Sequence, residues 1–416
     1  MISADFLIEH ASVIATCAGP APRRGTAQLE ITAVADGTIA SKDGLIVYVG
    51  PSSSVVGHIE AAPGAVRVDA SGCAVVPGFV DPHTHVVFAG DRRSELRDRL
   101  AGATYAQIAS AGGGILRTVA ATREASPDAL VAAALPRLDE MLANGTTTCE
   151  VKSGYGLTTE SELEQLRAIR TLDSMHAMDL VATFLGAHEI PREFERARAA
   201  YVSLVVDEMI PRVAAERLAA WCDVFCEDGV FTPEEAHAIL EAGRRAGLGA
   251  RIHAEELGPS GGSLVAARVG ARSADHLVHC DRAGAEALAS ADVGAVLLPA
   301  AAFYLKLGRF APARMLIDAG VPVALGTDVN PGGGYSPSMP FAMALACFAM
   351  NMTLEESLVA ATLNAAWSLD RSDRVGSLEV GKLMDAVVVR GGLTELLRVG
   401  ASAVRTVVKR GKVVAG

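Results

Sequence analysis

Between residues 74 and 326 the chain alternates short β-rich runs with longer helical ones, and this limits the fold more than any other feature. Strand candidates are 74–80, 146–151, 180–185, 223–226, 250–253, 273–276, 295–298 and 323–326. Helical stretches such as 160–174, 195–221 and 233–246 separate most of them, the pattern of parallel βα units. Eight units predict an α/β fold built on a closed (β/α)8 TIM-like barrel, with an open doubly wound sheet as the competitor. The flanks read differently. AVADG (33–37), GLIVYVG (44–50), DAVVV (385–389) and VRTVVK (404–409) are short apolar runs between turn residues. Neither end holds enough strand to close a sheet alone. Residues 1–72 and 372–416 are therefore expected to join in a small composite β-sandwich domain beside a barrel spanning 73–371.

In such a barrel the chemistry sits at the C-terminal rim, on the last residues of the strands and the loops that follow. Polar residues collect there: His83 and His85, 152–155, His188, Glu227, His253, Glu256, His276 and Asp328. In VVPGFVDPHTHVVFAGDRR (75–93), the period of two along a strand sends His83 and His85 to the same side, and Pro82 ends the ladder pairing. Two imidazoles delivered together are half of a metal site. His253 ends a strand in RIHAEEL and Asp328 ends another in VALGTD. With His83 and His85 they make a ligand set for zinc or ferrous iron with room for water. A metal there makes water nucleophilic at neutral pH, and Asp328 can both ligate and accept its proton. His276 suits a hydrogen bond to that water better than a fifth ligand position. Glu256, three residues past His253, suits a proton shuttle to a leaving nitrogen, while Glu255 faces away. The fourth strand ends in VFCEDG without a lysine to bridge a second metal, and although Glu227 could bridge, one ion is expected.

Composition narrows the partners. A net charge of −11 and a pI near 5.4 argue against nucleic acid or an anionic membrane. Seven scattered cysteines form no disulfide framework and suit a reducing cytoplasm; Cys222 and Cys226 lack the second thiol pair of a structural zinc site. The N-terminus carries Asp5 and Glu9 without a leading positive cluster, and no apolar run approaches a membrane span. A soluble cytoplasmic protein with a small-molecule substrate is expected.

The chain resembles the amidohydrolase superfamily and, within it, the imidazolonepropionase family. Beyond PGFVDPHTH and TD, the likeness rests on FAGDR (88–92), ATYAQIASAGGGI (103–115), TRE (122–124), EVKSGYGLT (150–158), GAHEIP (186–191), DVFCEDGVF (223–231), IHAEEL (252–257), SADHL (273–277) and TDVNPG (327–332). The resemblance implies hydrolysis of 4-imidazolone-5-propanoate to N-formimidoyl-L-glutamate by a homodimer with one metal ion per subunit, Zn2+ or Fe2+/Fe3+. It implies His83, His85, His253 and Asp328 as ligands, and Arg92, Tyr155, His188, Glu256, Asn330 and Gly332 as substrate contacts. A guanidinium at Arg92 can hold the substrate's carboxylate side chain in bidentate fashion, and Tyr155 and His188 offer donors beside the ring. Where the family usually has serine or threonine after NPG, this chain has Gly333, so a hydroxyl contact is missing or replaced by a backbone N–H. Glycines 112–114 allow a closing loop or a plain tight turn. A ring deaminase on the same scaffold is the alternative activity.

Overall fold

The computed structural model describes residues 1–103, 107–108 and 111–416; residues 104–106, 109 and 110 of the 103–115 motif lie outside the described residues. Eight parallel strands form the barrel: β6 (Phe79–Asp81), β7 (Thr146–Lys152), β8 (Asp179–Ala187), β9 (Trp221–Cys226), β10 (Gly249–Ala254), β11 (Ser273–His276), β12 (Gly294–Leu297) and β13 (Val323–Leu325). Each pairs with its neighbour in chain order. All of their residues but Asp179, Ala182 and Gly249 are buried, as expected of a sheet covered on both faces. The seam between the first strand and the last closes just beyond their C-terminal ends. Asp328 N donates to His83 O at 3.0 Å and His85 N to Val329 O at 2.8 Å. Below them Thr327 donates its N–H (3.1 Å) and its hydroxyl to the buried Asp81 carboxylate. Thr84 faces the other way and donates its hydroxyl to Glu150 O on β7 at 2.6 Å.

Both termini build the second sheet from β1 (Ile2–Ala15), β2 (Ala33–Lys42), β3 (Leu45–Pro51), β4 (Ile59–Asp69), β5 (Cys73–Pro77), β14 (Ala386–Arg390), β15 (Val404–Lys409) and β16 (Lys412–Ala415). The order is β16-β15-β14-β5-β1-β2-β3, with β4 also on β1. Its own core gathers Phe6, Ile8 and Ile14 of β1 with Ile39, Ile46, Val75, Val388 and Val408. The N-terminal strands are longer than the short runs expected. In β1 the register shifts between Ile8 and Ala11, and His10 takes a φ of 59°. That irregularity breaks the period-two pattern by which a 14-residue strand would be read.

Two further expectations are corrected. The run 74–80 is not one barrel strand, because it divides at Gly78 between the two sheets. Gly78 N donates to Asp385 O of the terminal domain, and Phe79 N to Gly145 O at the foot of the barrel. A side chain at Gly78 would meet Thr147 Oγ1 at 2.3 Å, so the hand-over point needs glycine for close approach. The stretch 195–221 is not one helix either. It passes through Arg198–Leu204, a π turn at Val205–Met209 and Ile210–Ala215, stops with Arg217 at φ 51°, and Trp221 already opens β9.

Gly78→Ala should lower the thermal midpoint, at a cost of about 1–3 kcal/mol, through overpacking against Thr147. Adding Thr147→Ala should return part of the loss in the same melting experiment.

Candidate active site

His83 and His85 follow β6 and Asp328 follows β13, the two strands at the seam, while His253 lies near the end of β10 across the barrel, and all of them reach one mouth. His83 Nε2 and His85 Nε2 lie 3.3 Å apart. The His83 and His253 rings meet edge to face with centroids 4.5 Å apart. Ligand atoms of His83, His85 and His253 all fall within 4.8 Å of one another, as do those of His83, His276 and Asp328. Asp328 Oδ1 stands 3.7 Å from His83 Nε2 and 3.6 Å from His85 Nε2. His253 Nε2 is buried without a hydrogen-bond partner. Burial, with neighbouring imidazoles and Lys152, holds His83, His85 and His276 well below the usual histidine range, so these rings are neutral. Converging neutral imidazole nitrogens beside a carboxylate fit a divalent metal ion, which takes lone pairs rather than protons.

The far sides of two of these rings are held by carboxylates inside the barrel. His83 Nδ1 lies 2.7 Å from Asp275 Oδ2 and His253 Nδ1 lies 3.1 Å from Asp223 Oδ2. The Asp275 bond fixes the His83 tautomer and leaves its Nε2 to ligate, while Asp223 meets His253 Nδ1 as a charge contact without hydrogen-bond geometry. Lys152 Nζ sits 2.7 Å from that same Asp223 oxygen, 2.5 Å from Glu150 Oε1 and 3.8 Å from Asp275 Oδ2. Arg251 donates to Asp275 Oδ2 at 3.3 Å. All five charged residues are fully buried. Burial alone would lower Lys152, but Asp223 and Glu150 keep its ammonium above the usual lysine range. Burial alone would raise Asp223, yet His253 and Lys152 hold it well below the carboxylate range. Sequence reasoning missed Asp223, Asp275, Glu150 and Arg251. The available signal was charge at otherwise apolar strand positions, where a buried charge requires a partner.

A cavity opens at this mouth. It is lined by His85, His253 and Asp328, and also by Arg92, Tyr155, His188, Glu256, His276, Asn330, Gly332 and Gly333. Every substrate contact expected from sequence therefore borders one space, and His83 lies buried beneath it. Arg92 is oriented by Glu95, whose Oε2 accepts from Nε at 3.0 Å and Nη2 at 2.9 Å. Its guanidinium runs under Gly332, where a Cβ would come within 2.4 Å of Cζ. Glu95 Oε1 also accepts from Gly114 N at 3.0 Å, which ties glycines 112–114 to the same arginine. His188 stacks on His85 at 5.2 Å and donates from Nδ1 to Gly154 O at 2.9 Å. Burial lowers its pKa to about 3, so Nε2 carries a lone pair and faces the site as an acceptor, not as the donor expected.

Glu256 Oε1 lies 3.6 Å from His276 Nδ1, and burial with Asp328 nearby raises its carboxyl well above the usual range. Burial likewise lifts Asp328 to about 7. Asn330 is spent on its own loop: Oδ1 accepts from Gly332 N at 2.8 Å and Gly333 N at 2.6 Å, and Nδ2 donates to Asp328 O at 2.8 Å. The Gly333 N–H is thus already engaged, and Leu305 would stand 3.2 Å from a Cβ at that position. Glu227 accepts from Leu257 N at 2.9 Å, and among the described residues it is not one of the converging ligand groups. Glu255 accepts from Ser263 Oγ at 2.7 Å.

The amidohydrolase family model matches residues 74–414. The chain is 48% identical to the imidazolonepropionase of Symbiobacterium thermophilum over 413 residues, 99% of this chain and 97% of that one. It is 48% identical to that of Brevibacillus brevis, over 98% of this chain and 97% of that one, and 43% identical to that of Parabacteroides distasonis, over 99% of both. Among solved structures, a triazine hydrolase from Arthrobacter aurescens superposes with a TM-score of 0.75 at 18% identity, covering 99% of this chain and 94% of that one. A zinc-bound adenosine deaminase from Xanthomonas campestris gives 0.66 at 20% identity, over 99% and 93%. These structures share the fold; the sequence relatives define the branch. The chain belongs to the amidohydrolase family, in its imidazolonepropionase branch.

Proposed function

We infer that this protein hydrolyses 4-imidazolone-5-propanoate to N-formimidoyl-L-glutamate. The observation that carries the reading is one cavity bordered both by the converging histidines and by the Arg92 guanidinium. A small ring with a carboxylate arm fits that pairing, with the arm at Arg92 and the ring against Tyr155 and His188. His83, His85, His253 and Asp328 would hold one zinc or iron ion per subunit, which lowers the pKa of water and polarises a carbonyl. Asp328 takes the proton of the attacking water, and His276 hydrogen-bonds the attacking oxygen. Water adds to the ring carbonyl carbon, the ring C–N bond breaks, and Glu256 delivers the proton to the departing nitrogen. Its raised pKa suits a donor near neutrality. His188 Nε2 accepts from a ring N–H. The same reading makes the enzyme a cytoplasmic homodimer. Free thiols at all seven cysteines suit that compartment, and the exposed Phe348 on the apolar helix Met339–Met350 suits a subunit contact.

Purified metal-loaded protein should deplete imidazolone absorbance without releasing ammonia; ammonia from a purine, pyrimidine or triazine ring instead would favour the deaminase reading. Chelation should abolish turnover and zinc or iron should restore it, whereas full activity in the metal-free protein would end this account. His85→Ala should lose metal and activity together in paired elemental and kinetic assays. Asp275→Asn should weaken metal binding by about 10–100-fold in a chelator competition, because His83 loses its charged partner.

A further inference from the structure

The loop that carries Tyr155 is wrapped around a carboxylate that the hydrolysis does not use. Leaving β7, the chain turns with Gly154 at φ 104° and Leu157 at φ 52°. The N–H groups of Gly154, Gly156 and Leu157 converge on Glu162, at 2.9, 2.8 and 2.8 Å. Glu162 is fully buried and lies in the first turn of the helix Thr159–Met175. One turn further on, Gln165 accepts from Tyr155 N at 3.1 Å and donates to Val87 O at 2.8 Å. Inward-turned backbone N–H groups make an anion-binding concavity, and here the chain fills it with its own side chain.

Two substrate-facing groups depend on this arrangement. Tyr155 sits at the centre of the turn. Gly154 supplies the carbonyl that accepts from His188 Nδ1, and so decides which nitrogen of that imidazole faces the cavity. The fit is close, since a Cβ at Gly154 would meet His188 Nδ1 at 2.9 Å and one at Gly156 would meet Glu162 N at 2.6 Å.

We propose that Glu162 is the positioning residue of the substrate-binding wall, setting Tyr155 and the His188 tautomer together through the 153–157 loop; this rests on the substrate reading above. A glutamine cannot replace it, because one of its two ends is a donor that would face backbone donors. The test is E162Q in the metal-loaded enzyme, with steady-state kinetics on the imidazolone, metal analysis and amide hydrogen exchange over 153–157. Expected are a KM raised about 10-fold or more, a much smaller change in kcat, wild-type metal content and faster exchange in the loop. An unchanged KM, or lost activity fully explained by lost metal and lower thermal stability, overturns the proposal. Should E162Q fail to fold, Gln165→Leu removes the acceptor of Tyr155 N together with the donor to Val87 O, leaves the three bonds to Glu162 in place, and is judged by the same readouts, with a smaller rise in KM. Wild-type protein inactive on the imidazolone would refute the substrate reading instead; hydrogen exchange then decides for Glu162, and an unaltered loop in the variant overturns its role.

Discussion

The structure depends on the seam where β6 meets β13. A barrel of eight strands must join its first to its last, and here the join is made by short strands of three residues each, extended by backbone bonds through His83, His85, Asp328 and Val329. The bonds that close the sheet therefore run through residues whose side chains converge at the mouth. Asp81 reinforces the join from below by accepting from Thr327 twice, at a depth where an unpaired carboxylate would be costly. Alternation does the rest. Thr84 is tied to β7, so the residues on either side of it turn toward the mouth. The bonds that close the barrel thus also bring His83, His85 and Asp328 together, and His253 meets them from β10.

Much of this was legible in the chain. Eight apolar runs at βα spacing identified the barrel, and residues at their ends include the imidazoles and carboxylate that converge at its mouth, while Arg92, Asn330, Gly332 and Gly333 of the cavity wall came with the family resemblance. What stayed hidden has physical reasons. The division at Gly78 leaves no mark in hydropathy, because Cys73–Pro77 and Phe79–Asp81 are both buried, one in each sheet. A strand as long as β1 was obscured where its register shifts near His10. Asx-type bonding in the 330–333 loop also escaped, since the backbone N–H groups that Asn330 Oδ1 accepts from are set by the loop's conformation. The direction of the His188 hydrogen bond required knowing that a carbonyl lay beside Nδ1.

The largest omission was the charged layer inside the barrel. Ion pairs this deep are weak evidence for stability, because two desolvation penalties offset much of the attraction. Their placement points to another role. Asp223 and Asp275 each direct one oxygen both to an imidazole of the converging cluster and to a cation, Lys152 in one case and Arg251 in the other. An apolar core of equal volume would leave the two rings free to rotate or to present the other nitrogen. The charges therefore act as orientation, in the sense that a site must be held before it can bind.

Charge balance carries that argument one step further. Glu150, Asp223 and Asp275 against Lys152 and Arg251 leave one excess negative charge under the imidazoles, and Asp328 at the mouth, lifted by burial to about 7, adds a second where it ionises. In a medium of low dielectric such an excess needs a counter-charge nearby. A divalent cation at His83, His85, His253 and Asp328 would cancel both at once, whereas a monovalent ion would leave one uncompensated. The layer beneath the imidazoles thus suits a divalent charge, and the imidazole nitrogens suit the softer metals that accept them.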